Sequence, residues 1–151
     1  MAPLTQYAAL PYVEVPGGIL VLVITSRGTG RWVIQKGWPK PRRTPAELAA
    51  LEARQEAGVR GVVDPEPAGS FVYWKRLHLL AWTRCRVEVF PLLVDVQKLD
   101  WKEKPERRLN WCTPAEAAAL VRERGLKALI RAFADGRRRA SEHSIQVRAA
   151  P

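Results

Sequence analysis

The chain is poor in cysteine and histidine: Cys85 and Cys112 are its only thiols, and His78 and His143 its only imidazoles. The two cysteines lack the paired spacing of a zinc site. No basic segment followed by an apolar stretch opens the chain, so no secretion signal is read and a cytoplasmic setting is expected. In that setting the cysteines read as free thiols rather than a bridge. No base for a Cys85 nucleophile is visible, and neither histidine has a visible partner. Long apolar runs are missing too. The longest unbroken aliphatic run, Ile19 to Ile24, is too short to cross a bilayer, and no membrane partner is expected. Internal repeats are absent apart from one duplicated helix start.

Acidic residues are also in short supply, 15 against 25 lysines and arginines, leaving a net charge of +10. Such a chain attracts polyanions. The excess supports a phosphate-bearing ligand without separating a nucleotide from RNA or an inositol phosphate. With 151 residues, 47% of them hydrophobic and 26% charged, the chain suits one globular domain with a real core. That domain is read over residues 1–136. Residues 137–151, starting with Arg137-Arg138-Arg139, have weak periodicity and read as a loose basic tail.

The stretch from Lys36 to Gly61 organises the rest. It is a glycine-led loop, a capped helix and a glycine stop. Thr44 is a natural N-cap, Pro45 suits the first helical position, and Glu47 completes a Thr-x-x-Glu capping box. Gly58 can take the left-handed conformation that ends a helix. Glu52 and Glu56 are four apart and share one helical face, where two carboxylates beside a flexible loop could hold a divalent cation.

Around this stretch the pattern predicts strands first. Gln6 to Val13, with a central proline, reads as a short or edge strand. Gly18 to Thr25 is a buried central strand and Arg31 to Gln35 the next one, delivering the chain into a Lys36-Gly37 loop. Gly61 to Asp64, Ser70 to Arg76 and Leu79 to Val96 follow, with Pro91 marking a bulge or an edge. Lys98 to Asn110 reads as a loop. Thr113-Pro114-Ala115-Glu116 repeats the first helix's cap, and a second helix is expected through Arg124. Leu126, Leu129, Ile130 and Phe133 recur at helical spacing up to Gly136. Tyr73, Trp74 and Trp82 read as core. Strands, a helix, more strands and then helices imply a mixed sheet with helices on its faces.

The loop, helix and glycine stop resemble the Nudix box, Gly-x5-Glu-x7-Arg-Glu-U-x-Glu-Glu-x-Gly-U, where U is aliphatic. Gly37, Glu52, Ala53, Glu56, Gly58 and Val59 fall at their places. Upstream, Thr25-Ser26-Arg27, Arg31-Trp32-Val33-Ile34 and Lys36-Gly37-Trp38-Pro39 are similar to the diphosphoinositol-polyphosphate and dinucleoside-polyphosphate branch of the family. So is the later run from Trp101 through Arg107-Arg108-Leu109-Asn110-Trp111 to Ala117. The resemblance covers Tyr7 to Phe133 and implies an α/β fold, the Nudix-type αβα sandwich.

Three places depart from the pattern. Arg43 replaces the first glutamate, Leu51 the arginine, and Gln55 the first of the paired glutamates. The first two can be one event, because losing both partners of an ion pair costs less than losing one. Gln55 matters more, since a neutral amide is a weaker ligand for a hard cation.

The family implies hydrolysis of a diphosphate bond in a small phosphate-rich substrate, assisted by Mg²⁺ or Mn²⁺. The substrate could be a dinucleoside polyphosphate, a nucleoside diphosphate derivative or a diphosphoinositol polyphosphate. The resemblance assigns Glu52 and Glu56 to catalysis and, with the backbone carbonyl of Lys36, to the metal. Arg27, Lys36, Lys40 and Arg107 are candidates to hold phosphates. Glu88, Glu103 and Glu106 are candidates for a third acid. The alternative is a catalytically silent module of the same fold that binds a nucleotide, an inositol phosphate or an RNA end. A general nucleic-acid-binding role rests on charge alone.

Overall fold

A computed structural model describes the backbone of residues 4–149 and the side chains of residues 4–143. The chain runs β1 (Leu4–Val15), β2 (Gly18–Thr25), β3 (Trp32–Val33), β4 (Lys36–Gly37), α1 (Pro45–Ala57), β5 (Val59–Val63), β6 (Gly69–His78), β7 (Ala81–Gln97), β8 (Leu109–Cys112), α2 (Pro114–Leu120) and α3 (Arg124–Ala149). The strands form one mixed sheet. Its spine is a parallel pairing of β1 with β7, from Leu4–Cys85 to Tyr12–Leu93. The remaining pairings are antiparallel: β2 and β4 on the outer edge of β1, β6 and β5 on that of β7, and β3 and β8 on β2.

The pleat divides the core in two, because successive strand residues point to opposite faces. Ala8, Leu10 and Tyr12 face α2 and α3, packing with Val87, Val89, Ala117, Leu126 and Ile130. Ala9, Leu22, Phe90 and Leu92 face α1, whose side of the contact is almost all alanine: Ala46, Ala49, Ala53 and Ala57. Small side chains let α1 lie close on the sheet. The result is the expected αβα sandwich, with helices on both faces.

Several sequence expectations need correction. β1 is central, not an edge, and Pro91 also lies in a central strand. The two prolines sit side by side, with Leu10 opposite Pro91 and Pro11 opposite Leu92. There β1 passes from β4, paired at Tyr7 and Ala8, to β2, paired from Tyr12. Likewise β7 passes from β6, paired up to Val89, to β5, paired from Leu92. Each proline thus falls where no outer strand requires its missing N–H.

Lys36-Gly37 is a short strand on β1 rather than loop. The second helix ends at Leu120, before the expected Arg124. Gly136 does not end the last helix, and residues 137–149 continue it instead of forming a loose tail; Pro151 and residue 150 lie outside the described residues. One glycine costs a helix about 1 kcal/mol, and the next turn is tied down. Arg137 donates to Glu14 at 2.7 Å and stacks over the Tyr12 ring at 5.7 Å. Trp74 and Trp82, expected in the core, are exposed.

Candidate active site

Two caps hold α1 in place. The Thr44 hydroxyl accepts from the Glu47 N–H, and the Glu47 carboxylate accepts from the Thr44 N–H. At the other end Gly58 is left-handed, with φ 68°, and its N–H reaches the Ala53 and Arg54 carbonyls. Trp101 closes this end from outside. Its indole N–H donates to the Glu56 carbonyl at 3.1 Å, and a β-carbon on Gly58 would lie 2.6 Å from its ring. Trp101 therefore sets where the last turn of α1, and with it Glu56, can sit.

Glu52 is buried and Glu56 half-buried, while Gln55 is exposed. Glu52 lies against the β4 backbone: a β-carbon on Gly37 would fall 2.5 Å from Glu52 Oε1. The first glycine of the motif is thus required by close approach, not by φ. Lys40 Nζ stands 3.9 Å from the same carboxylate.

Arg107 is the hub of the site, with only 7% of its side chain exposed. Its guanidinium contacts Glu56 at 3.4 Å, donates to Glu103 at 3.0 Å and donates to the Thr25 carbonyl at 3.0 Å. Burial pushes the Glu56 carboxyl up to about 7, against the pull of Arg107, with Glu52 adding to the rise. Glu52 is raised for the same first reason, opposed by Lys40.

Lys36 points to the other side of β4 from Gly37. Its ammonium is 5.5 Å over the Tyr73 ring, and burial holds its pKa below the usual lysine range while Glu123 and Glu56 pull it back up. Arg31 pairs with Glu123 at 3.8 Å.

The structure thus brings Glu52, Glu56, Lys40 and Arg107 together and places Lys36 beside them with its ammonium turned away. Arg27 stands apart, mostly exposed, and reaches Glu106 at 3.3 Å and Glu103 at 3.9 Å. It lines an open cleft of about 470 Å³ with Thr25, Glu106, Arg107 and Arg108. Of the three candidate acids, Glu103 meets Glu56 through Arg107, Glu106 faces Arg27, and Glu88 lies in β7 opposite Ser70 and Tyr7. Arg43 and Leu51 line one shallow groove on the outer side of α1.

Sequence reasoning missed the role of Trp101 at the end of α1, the Arg31–Glu123 pair and the burial of Gln35. Gln35 is fully buried just before Lys36, and neither amide atom finds a partner among the described residues. The four-residue spacing of Glu103 and Arg107 was the one available signal for that pair.

Comparison with known proteins follows the same lines. No family model matches the chain. It is 30% identical over 129 residues to Nudix hydrolase 12 of Arabidopsis thaliana, a mitochondrial protein, and 26% identical over 126 residues to the mitochondrial Nudix hydrolase 13 of that plant. These matches cover 81% and 80% of this chain.

Sequence and fold alike support a Nudix superfamily member.

The chain spans 64% and 62% of the length of those two relatives. Solved structures agree on the Nudix fold. The C. elegans Ap4A hydrolase superposes with a TM-score of 0.61 at 15% identity, covering 87% of this chain and 96% of that one. The E. coli dihydroneopterin triphosphate pyrophosphohydrolase gives 0.65 at 15% identity, covering 87% and 95%.

Nudix hydrolases generally use divalent metals. Among the described residues no three acidic, histidine or cysteine side chains converge closely enough to enclose one. What is present is two carboxylates, Glu52 and Glu56, and the Lys36 carbonyl beside a glycine whose missing side chain leaves room for Glu52. An all-oxygen set of this size fits a hard cation that keeps several waters.

Proposed function

We propose that the chain hydrolyses a diphosphate bond in a small phosphate-rich molecule, with Mg²⁺ or Mn²⁺ held by Glu52, Glu56 and the Lys36 carbonyl, in a cytoplasmic setting. The observation that carries this reading is the pressing of Glu52 against Gly37, one helical turn from Glu56. It keeps one carboxylate out of bulk water against the β4 backbone, with a second, half-buried one a helical turn away. A bound divalent cation would supply charge to the substrate's phosphates and acidify water. Glu52, fixed by its contact with Gly37, orients the attacking water. Glu56, on the same helical face, accepts its proton. Arg27 and Lys40 draw the phosphates in, and Arg107 holds Glu56 and Glu103 in register.

A second reading has one observation in its favour. Arg107 already gives Glu56 a positive partner, and Gln55 turns its amide to solvent, so the site is neutralised without a metal. On that reading the domain binds a nucleotide, an inositol phosphate or an RNA end without turning it over. Assays against dinucleoside polyphosphates, nucleoside diphosphate derivatives and diphosphoinositol polyphosphates, each with Mg²⁺, Mn²⁺ or a chelator, separate the two. Metal-dependent turnover abolished by Glu56→Gln supports the hydrolase. Tight binding without turnover under every metal condition supports the module.

A further inference from the structure

The β6–β7 hairpin presents large apolar side chains to water. Its tip residues Leu79 and Leu80 are 75% and 87% exposed, and Leu77 is also exposed. Behind the tip, Trp74 and Trp82 are 64% and 58% exposed. Pairing places Val72 opposite Arg86, Trp74 opposite Arg84 and Arg76 opposite Trp82, so these six side chains share one face. The Arg76 guanidinium lies 5.8 Å from the Trp82 ring. Among the described residues the hairpin also runs past the sheet, because there β1 first meets β7 at Leu4–Cys85. From the Trp74–Arg84 pair to the tip is about 15 Å at ~3.3 Å per residue.

Charge on this segment has one sign. Lys75, Arg76, Arg84 and Arg86 are all basic, and the first acid after them is Glu88. None of the four basic side chains forms an ion pair among the described residues. A contiguous exposed apolar patch marks an interaction surface. A second copy is a poor occupant, since the three unpaired arginines of this face would meet three more. A single-stranded nucleic acid would use the tryptophans and arginines but leave three leucines in water.

We propose that this hairpin seats the domain on an anionic lipid surface. Leu77, Leu79 and Leu80 enter the boundary between headgroups and acyl chains. Trp74 and Trp82 lie at headgroup level, where an apolar ring with a polar N–H is favoured. Arg76, Arg84 and Arg86, on the same face as the tryptophans, pair with the anionic headgroups. The contact is interfacial and needs no spanning helix; no helix among the described residues is long and apolar enough to cross a membrane. The proposal stands apart from the chemistry of Glu52 and Glu56, and its residues are not part of that site.

Co-sedimentation of the full chain with phosphatidylcholine vesicles, with and without phosphatidylserine, tests it. The expected result is binding to the anionic vesicles that weakens as salt rises. Leu79→Glu with Leu80→Glu, and separately Arg84→Glu with Arg86→Glu, should each weaken that binding at least about tenfold. Thermal melting should stay unchanged, because these side chains are exposed. Three results would overturn the proposal. One is no binding to anionic vesicles, or the same binding by the leucine variant. Another is self-association without vesicles that the leucine variant abolishes. The third is binding to a single-stranded oligonucleotide that needs Trp74 and Trp82 but not the leucines, with no vesicle binding.

Discussion

Glu52 occupies the space that a side chain on Gly37 would need, with its Oε1 2.5 Å from where that β-carbon would be. The carboxylate position and the glycine are therefore one feature of the molecule. Gly37→Ala should force Glu52 away from β4 at a cost of about 1–3 kcal/mol in stability. Turnover should fall more than about tenfold, since small displacements of a positioned group are costly. Denaturant unfolding and steady-state assays with Mg²⁺ check both. Unchanged turnover in a destabilised variant would remove Glu52 from the chemistry.

Glu56 makes stability depend on pH in a stated direction. Its carboxyl is raised from 4.5 to about 7, first by burial. The folded protein therefore keeps this proton after the unfolded chain has released it. Below the unfolded value the group costs nothing; as pH rises from there through about 7, stability is progressively lost. The full effect has an upper limit of about 3.5 kcal/mol at ~1.4 kcal/mol per unit. In chelator, Glu56→Gln should melt above the parent at about pH 8 and level with it at about pH 4. With metal, the same variant should lose turnover by roughly 100-fold or more. Equal melting at both pH values would contradict the raised carboxyl.

Arg107 is the counter-charge of a half-buried acid pair. Arg107→Met leaves Glu56 and Glu103 without it and should cost about 3 kcal/mol at neutral pH, less in acid. Because the guanidinium competes for Glu56, Mn²⁺ affinity measured by calorimetry should rise in the same variant. A fall would show that Arg107 helps to build the metal site instead.

Gln55 is exposed on α1, one residue from Glu56. A carboxylate there would restore an acid near the proposed metal position without disturbing the core. Gln55→Glu should raise turnover several-fold with no change in melting temperature, because exposed helix substitutions stay within about 0.5 kcal/mol. No gain in a folded variant would mean that the site does not lack an acid.

Gly58 and Trp101 fix the end of α1. Gly58→Ala meets a left-handed backbone and an indole ring 2.6 Å away, so it should cost about 2 kcal/mol or more. Gly28→Ala, with nothing within 4 Å and no positive φ, is the control and should be near neutral. Urea midpoints of the two variants provide the comparison.

Local pattern determined a good deal of this protein. Thr44, Pro45 and Glu47 define a helix start by hydrogen bonds within four residues, and Thr113, Pro114 and Glu116 do the same. Gly58 ends a helix through its own φ. The four-residue spacing of Glu52 and Glu56 places them on one face whatever surrounds them. These are short-range consequences of backbone geometry, so the residues alone carry them.

Tertiary structure decided the rest. Pro11 and Pro91 look like edge residues until it is seen that both strands change outer partners at the same point. Trp74 and Trp82 look like core until the hairpin is seen, among the described residues, to outrun the sheet. Residues 137–149 continue α3, and at its entry Arg137 finds Glu14 and Tyr12, 123 and 125 positions earlier in the chain. The site itself depends on the same distances. Glu52 and Glu56 were legible as a pair of acids, but Gly37 and Arg107 give one a wall and the other a counter-charge. Those contacts arise only when β4 and the segment before β8 are packed around α1, since burial and charge pairing belong to the folded neighbourhood and not to the local pattern.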